Sequence, residues 1–278
     1  MIIFDNHLHL RRDGFFINAV KDFKKAGGTH FILCQYPMPN LVVKNKNYLP
    51  AFLETLEIAK KVQSTVKNIG VFVTVGPYPV DYLILSKKFG RKKTIELMKK
   101  GMDIAAQLCE EKKCIAIGEI GRPHFPVDIQ TFEDSNEILL YGMEKAKDVN
   151  VPVVLHTETT TTKICEELVK MGKKTGLKPS KIVKHYSPPL ILKKENHGLM
   201  PSVLGSKKNI TTALEKGTRF LMETDYIDDP NRPGAVLGPK TVPRTTLSLL
   251  EKGFLTEKQT HEIHKENPEK TYNIDLDE

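Results

Sequence analysis

The chain has 278 residues, 40% of them hydrophobic, and carries 42 Lys and Arg against 34 Asp and Glu, a formal net charge of +8. That length suits one α/β barrel domain over residues 1–278, since such barrels commonly take about 250 residues. No apolar run approaches the ~20 residues that span a bilayer and no signal-peptide pattern is visible, so a soluble, cytoplasmic protein with no membrane partner is expected.

Short β-rich runs alternate with helical patterns from end to end, the mark of repeated βα units around a parallel sheet. Eight runs can be read: 2–7, 29–35, 69–76, 114–119, 151–156, 181–186, 198–204 and 218–225. The seventh is the weakest, because Pro201 interrupts it and cannot donate to a ladder. Between the runs, Leu53 to Val66 places Leu53, Leu56, Ala59, Lys60 and Val62 on one stripe, and Thr94 to Glu111 does the same with Leu97, Gly101, Ile104, Ala105 and Leu108. Glu137 to Val149, Thr162 to Met171, Thr241 to Lys252 and Glu257 to Glu266 also read as helices, with Pro268 as a stop. The stretches richest in turn residues are 37–48, 77–82, 122–128, 187–197 and 228–239, and all five follow strands. In a barrel those are the loops of the active face.

Much of the positive excess lies in one segment, from Lys87 to Lys113, interleaved with Glu96, Asp103, Glu110 and Glu111. This pattern reads first as a solvated helix face and second as a surface for a polyanion. Cys34, Cys109, Cys114 and Cys165 form no CxxC pair, so free thiols in a reducing compartment are expected.

Metal-ligand side chains recur at the ends of the apolar runs. His7 and His9 stand two apart, a spacing that puts both imidazoles on one side of a strand. Glu119 ends Ile115-Ala116-Ile117-Gly118, where an unpartnered buried carboxylate would be costly without a cation. His156 closes the fifth run and His185 the sixth, while Asp225 closes the last, where a carboxylate can take a proton from an activated water. Four imidazoles and two carboxylates suit zinc first, with manganese, magnesium, iron or nickel as alternatives.

The strings Asp5-Asn6-His7-Leu8-His9-Leu10, Gly118-Glu119-Ile120-Gly121, Leu155-His156, Lys184-His185 and Glu223-Thr224-Asp225 resemble, in that order, the metal-site motifs of TatD-type hydrolases in the amidohydrolase superfamily. The resemblance covers most of the chain. It implies a TIM-type (β/α)8 barrel holding two divalent ions, with Glu119 bridging, His7, His9 and Asp225 near one ion, and His156 and His185 near the other. It also implies hydrolysis of a phosphoester bond in a small molecule or nucleic acid, a deoxyribonuclease activity included. Alternatives are a small amide, lactone or other ester, or a non-catalytic metal-stabilised scaffold that binds nucleic acid.

Three departures set the chain closer to the archaeal-type TatD-related branch than to the bacterial nucleases. Gly76-Pro77-Tyr78-Pro79 stands where a His-Pro pair is usual, Arg122-Pro123-His124 follows the glutamate motif where an Asp is common, and Thr157-Glu158 follows His156 where an Arg is common. Glu158 is a further candidate near the second ion. His124 and His197 are expected in active-face loops, and His30 at the opposite rim. Arg232, in a solvated loop with Asp228, Asp229 and Lys240, is a candidate to grip a phosphate. His261-Glu262-Ile263-His264 is one residue short of HExxH and reads as a surface helix.

Overall fold

The computed structural model describes residues 1–276. Its strands are β1 (Phe4–His9), β2 (His30–Cys34), β3 (Gly70–Val75), β4 (Ala116–Gly121), β5 (Val153–His156), β6 (Ile182–Ser187), β7 (Met200–Leu204), β8 (Leu221–Glu223) and β9 (Tyr226–Ile227). Between them run α1 (Ile17–Lys25), α2 (Pro39–Asn45), α3 (Leu49–Thr65), α4 (Asp81–Phe89), α5 (Arg91–Glu110), α6 (Ile129–Asp148), α7 (Thr162–Thr175), α8 (Lys193–Asn196) and α9 (Lys207–Leu214). After the last strand come α10 (Thr241–Glu251), α11 (Glu257–His261), a π-helical turn (Glu262–Glu266) and α12 (Asn267–Tyr272).

Every strand pairing is parallel, and the sheet order is β8-β7-β6-β5-β4-β3-β2-β1-β9. The eighth run of the sequence, 218–225, thus ends in a break. Within it β8 pairs with β7, and just beyond it a further strand, β9, pairs with β1. At the break the Thr224 amide donates to Asp5 Oδ1 at 3.0 Å, the Thr224 hydroxyl donates to Asp5 Oδ2 at 2.7 Å, and the Asp225 amide donates to the His7 carbonyl at 2.9 Å. First and last strands meet there, and the sheet curls into the expected TIM-type barrel.

Strand alternation divides the core in two. On β2, β5 and β6 the residues Phe31, Leu33, Val153, Leu155 and Ile182 pack toward the helices, whereas Ile32, Cys34, Val154 and Val183 pack inside the barrel with Phe4, Ala116 and Leu221. Tyr272 and Leu276, from the C-terminal end, join the inner cluster and close the lower mouth. All four cysteines are free and buried.

Several expectations from the sequence need correction. On α3 the buried face is Phe52, Thr55, Ile58, Ala59 and Val62, with Leu53 exposed; on α5 it includes Thr94, Met98, Met102 and Ala106 beside Gly101, Ala105 and Leu108. Each helix carries two overlapping ladders of apolar residues, and packing against the sheet selects one. Pro201 does not weaken β7, which pairs on both sides; the ladder with β6 shifts register between Lys184 and Ser187, so the missing N–H falls beside an irregularity. Nor does Pro268 stop the helix. It stands at the start of α12, directly after the π-helical turn, and the backbone stays helical through Glu266 and Asn267. His197 lies three residues before β7 at the lower rim, not in an active-face loop. Finally, His264 is wholly buried: its Nε2 faces the Thr246 hydroxyl at 2.8 Å and its Nδ1 lies against the Phe4 backbone at 3.1 Å, pinning the C-terminal helices to β1.

Burial pulls the His264 imidazole down to about 4 from 6.5. Between those values the unfolded chain takes up a proton that the folded chain refuses, so this contribution is complete above pH 6.5 and lost as pH falls toward 4. Urea unfolding should show the native protein losing about 3 kcal/mol more than His264→Gln over that window. Parallel pH profiles would overturn the assignment.

Candidate metal centre

The six expected ligand residues converge on the C-terminal rim. β1 supplies His7 and His9, β4 supplies Glu119, β5 and β6 supply His156 and His185, and Asp225 stands in the break between β8 and β9. Gly121, at φ +145°, lets β4 lie against β5, since a Cβ there would meet the His156 carbonyl at 2.0 Å.

Glu119 occupies the middle. Its Oε1 lies 3.0 Å from His185 Nε2, 3.3 Å from His156 Nδ1 and 3.5 Å from His7 Nε2, while its Oε2 lies 3.8 Å from His9 Nε2. Asp225 Oδ1 lies 3.5 Å from His9 Nε2 and 3.8 Å from His7 Nε2. The ring nitrogens also face each other, His7 Nε2 to His9 Nε2 at 3.2 Å and His156 Nδ1 to His185 Nε2 at 3.1 Å. Two groupings, His7 with His9 and Asp225, and Glu119 with His156 and His185, each have the spacing to hold an ion; a third joins His7 and His185 to Glu223.

The donor set fits a divalent metal. Burial holds His7 at about 4 and His185 well below the ordinary imidazole value, so both rings are neutral at pH 7. His9 Nδ1 is satisfied by the Cys34 carbonyl at 3.1 Å, which turns its Nε2 to the centre. Burial works against a charge on His9, yet Asp225 and Glu119 pull its pKa upward. Lone pairs and carboxylates pressed together in this way call for positive charge. Around a tetrahedral ion with bonds of about 2.1 Å, neighbouring donors stand about 3.4 Å apart, close to the separations seen.

Supporting contacts come from residues that the motif spacing alone did not single out. Asp5, raised to about 7 by burial against its Thr224 hydrogen bonds, braces the seam that carries His7 and Asp225. Glu223 accepts from the Tyr186 amide at 2.6 Å and from the Ser202 hydroxyl, and stands 3.4 Å from His185 Nδ1. An acid or a lysine inside an otherwise apolar run, as at Glu223 and Lys184, was the available signal. Asp228 is not part of a merely solvated loop: it is buried and accepts from the amides of Arg11, Phe15 and Phe16 at 3.2, 2.7 and 2.9 Å, tying the loop after β1 to β9.

A cleft of 670 Å³ opens over the centre, lined by Tyr36, Tyr78, His124, Glu158, Lys184, Tyr186 and Arg232 among others. His124 Nδ1 lies 2.8 Å and the Tyr78 hydroxyl 3.3 Å from His156 Nε2. Arg232 reaches the cleft but its Nε is held by Asp229 at 3.0 Å, and Lys240 pairs with Asp22 outside it. Burial lowers Lys184 to about 8, which leaves the ammonium form in the majority at pH 7. None of the basic residues from Lys87 to Lys113 lines the cleft; Arg91, Lys99 and Lys113 pair with Asp134, Glu137 and Glu111.

The family model for TatD related DNase matches residues 4–273. The chain belongs to this family. Among curated proteins, an uncharacterized protein of Methanocaldococcus jannaschii is 39% identical over 278 residues, which is 98% of this chain and 96% of that protein. Among solved structures, a phosphotriesterase homology protein from Escherichia coli, complexed with phosphate in its active site, superposes with TM-score 0.66 at 14% identity, over 97% of this chain and 98% of that one. A mutant phosphotriesterase-like lactonase from Deinococcus radiodurans gives TM-score 0.63 at 13% identity, over 97% and 95% of the two chains.

Two of the departures from the usual TatD pattern meet in one contact. Arg122 and Glu158 meet in a two-pronged pair, Nη2 to Oε1 at 2.7 Å and Nε to Oε2 at 3.2 Å, with the charges in the reverse of the common Asp and Arg order. The buried guanidinium also binds Glu167 at 2.6 Å and Asn136 at 3.2 Å, and stacks on Phe132. Arg122→Met should lower stability by about 2–4 kcal/mol in denaturant unfolding. Its bound-metal content should equal that of the native protein, because none of these bonds reaches Glu119 or His156; metal loss in the variant would place Arg122 in the support of the centre.

Proposed function

We propose that the protein is a divalent-metal-dependent hydrolase acting on phosphoester bonds, with the catalytic centre at the barrel mouth. The observation that carries this reading is the convergence of residues from five separate strand ends: four imidazoles lie 3.0 to 3.8 Å from Glu119, and Asp225 lies 3.5 and 3.8 Å from two of them. Glu119 would bridge two ions, His7, His9 and Asp225 would hold one, and His156 and His185 the other, with zinc favoured by the nitrogen-rich donor set. Ions held there supply Lewis acidity and lower the pKa of water toward about 7.

Asp225 is the proton acceptor. Its carboxylate borders the cleft, so it can take a proton from attacking water and return it to the leaving oxygen. Tyr78, His124 and Tyr186 line the same wall and can orient the substrate. The volume is that of a small-molecule site. The net positive charge, the cations Lys184 and Arg232 in the cleft, and the phosphate in the active site of the Escherichia coli protein support a phosphoester, in a small molecule or at a nucleic-acid end. The likeness to a lactonase supports a second reading, in which a lactone or other ester is cut at the same centre. Residues 1–278 then form one domain, and four buried free thiols favour a cytoplasmic setting.

Metal analysis of the purified protein, with assays on bis(4-nitrophenyl) phosphate and on a panel of lactones, tests the proposal. Chelation should abolish phosphodiester turnover, and Asp225→Asn should reduce it by at least about 10²-fold. Turnover of lactones alone would end the phosphoester reading. Phosphodiester turnover at the native rate in Asp225→Asn would remove Asp225 from catalysis, and binding of nucleic acid without any turnover would favour a non-catalytic scaffold.

A further inference from the structure

Lys184 brings a buried positive charge to the cleft wall. On β6 its neighbours Val183 and His185 belong to the barrel interior, so the lysine stem leaves on the helix side; the residue is 2% exposed and is one of those lining the cleft, with Tyr186 and Glu158. Nζ donates to the His185 carbonyl, and this is its one hydrogen bond among the described residues. None of their carboxylates comes within 4.0 Å of it.

The acids around it are committed elsewhere. Both oxygens of Glu158 are taken by Arg122. Those of Glu223 are taken by the Tyr186 amide and the Ser202 hydroxyl. An ammonium at this depth is costly unless an anion meets it, and the cavity that Lys184 lines is the cleft over the centre. Its charge is compact and two of its three N–H donors are uncommitted, which suits an oxyanion taken as a point charge.

We propose that Lys184 binds an oxyanion, a carboxylate or a phosphate, that the substrate carries away from the bond being cut. This rests on the hydrolase reading and narrows it: the preferred substrate has a second anionic group. The role is one of specificity, since Lys184 would touch the substrate without touching the reacting atoms.

Two pairs of substrates test it, each differing by one remote anion: 4-nitrophenyl propionate against 4-nitrophenyl hydrogen succinate, and the 4-nitrophenyl ester of thymidine 5′-phosphate without and with a 3′-phosphate. The metal-loaded native protein should favour the anion-bearing member of at least one pair by at least about tenfold in kcat/KM, expressed in KM. The pair that responds tells carboxylate from phosphate. In Lys184→Met the ratio within that pair should fall to about one, and Lys184→Arg should restore part of it. A ratio that survives in Lys184→Met, or no preference in the native protein, overturns the proposal. Should the native protein cut none of the four, the hydrolase reading fails on its own. The subsite is then judged by the rise in unfolding temperature with added inorganic phosphate: a rise that Lys184→Met loses supports it, and equal rises overturn it.

Discussion

The seam between the first and last strands is the constraint on which the centre depends. Asp5 holds Thr224 by backbone and hydroxyl, and the Asp225 amide is bonded to the His7 carbonyl. These few hydrogen bonds join residues more than two hundred positions apart and set His7, His9 and Asp225 side by side. They also explain why the last strand is broken. With β8 bound to β7 and β9 bound to β1, the residue at the break is released from the ladder, and Asp225 adopts φ 47° at the rim.

Around that seam the mouth of the barrel is a balance of opposed charges at high burial. Ring nitrogens face one another, the two central carboxylates sit among them, and the arrangement calls for positive charge at the centre. Farther out, each acid is bound to a specific partner: Glu223 to Tyr186 and Ser202, Glu158 to Arg122, Asp228 to three amides of the loop after β1. Fixing these acids keeps them from competing for the centre. It also leaves Lys184 as a cation without an ion-pair partner among the described residues.

The reversed pair of Arg122 and Glu158 shows how the wall of such a site can change while the centre is kept. An isolated Arg after the glutamate motif, or an isolated acid after His156, would each leave a buried charge exposed to a hostile neighbour. Together they restore an ion pair, with the guanidinium wholly buried and the carboxylate facing the cleft. The exposed half of the pair is therefore acidic, and the cations available to a substrate lie elsewhere, at Lys184 and Arg232.

The alternation of short apolar runs with amphipathic segments was enough to establish a parallel barrel, because strand and helix periodicities are local properties of the chain. The positions of His7, His9, Glu119, His156, His185 and Asp225 at run ends were legible for the same reason, since in a barrel all run ends share one rim. What a helix buries when two apolar ladders overlap, as on α3 and α5, was decided only by packing. The same holds for His264, whose place in the sequence resembles an exposed helix, and for His197, whose loop begins at the upper rim but returns to the lower. Which acid meets which cation, Arg122 with Glu158 and not Lys184 with either acid, depends on distances between segments that no spacing records. Side-chain pairing across the rim is a property of the closed barrel alone.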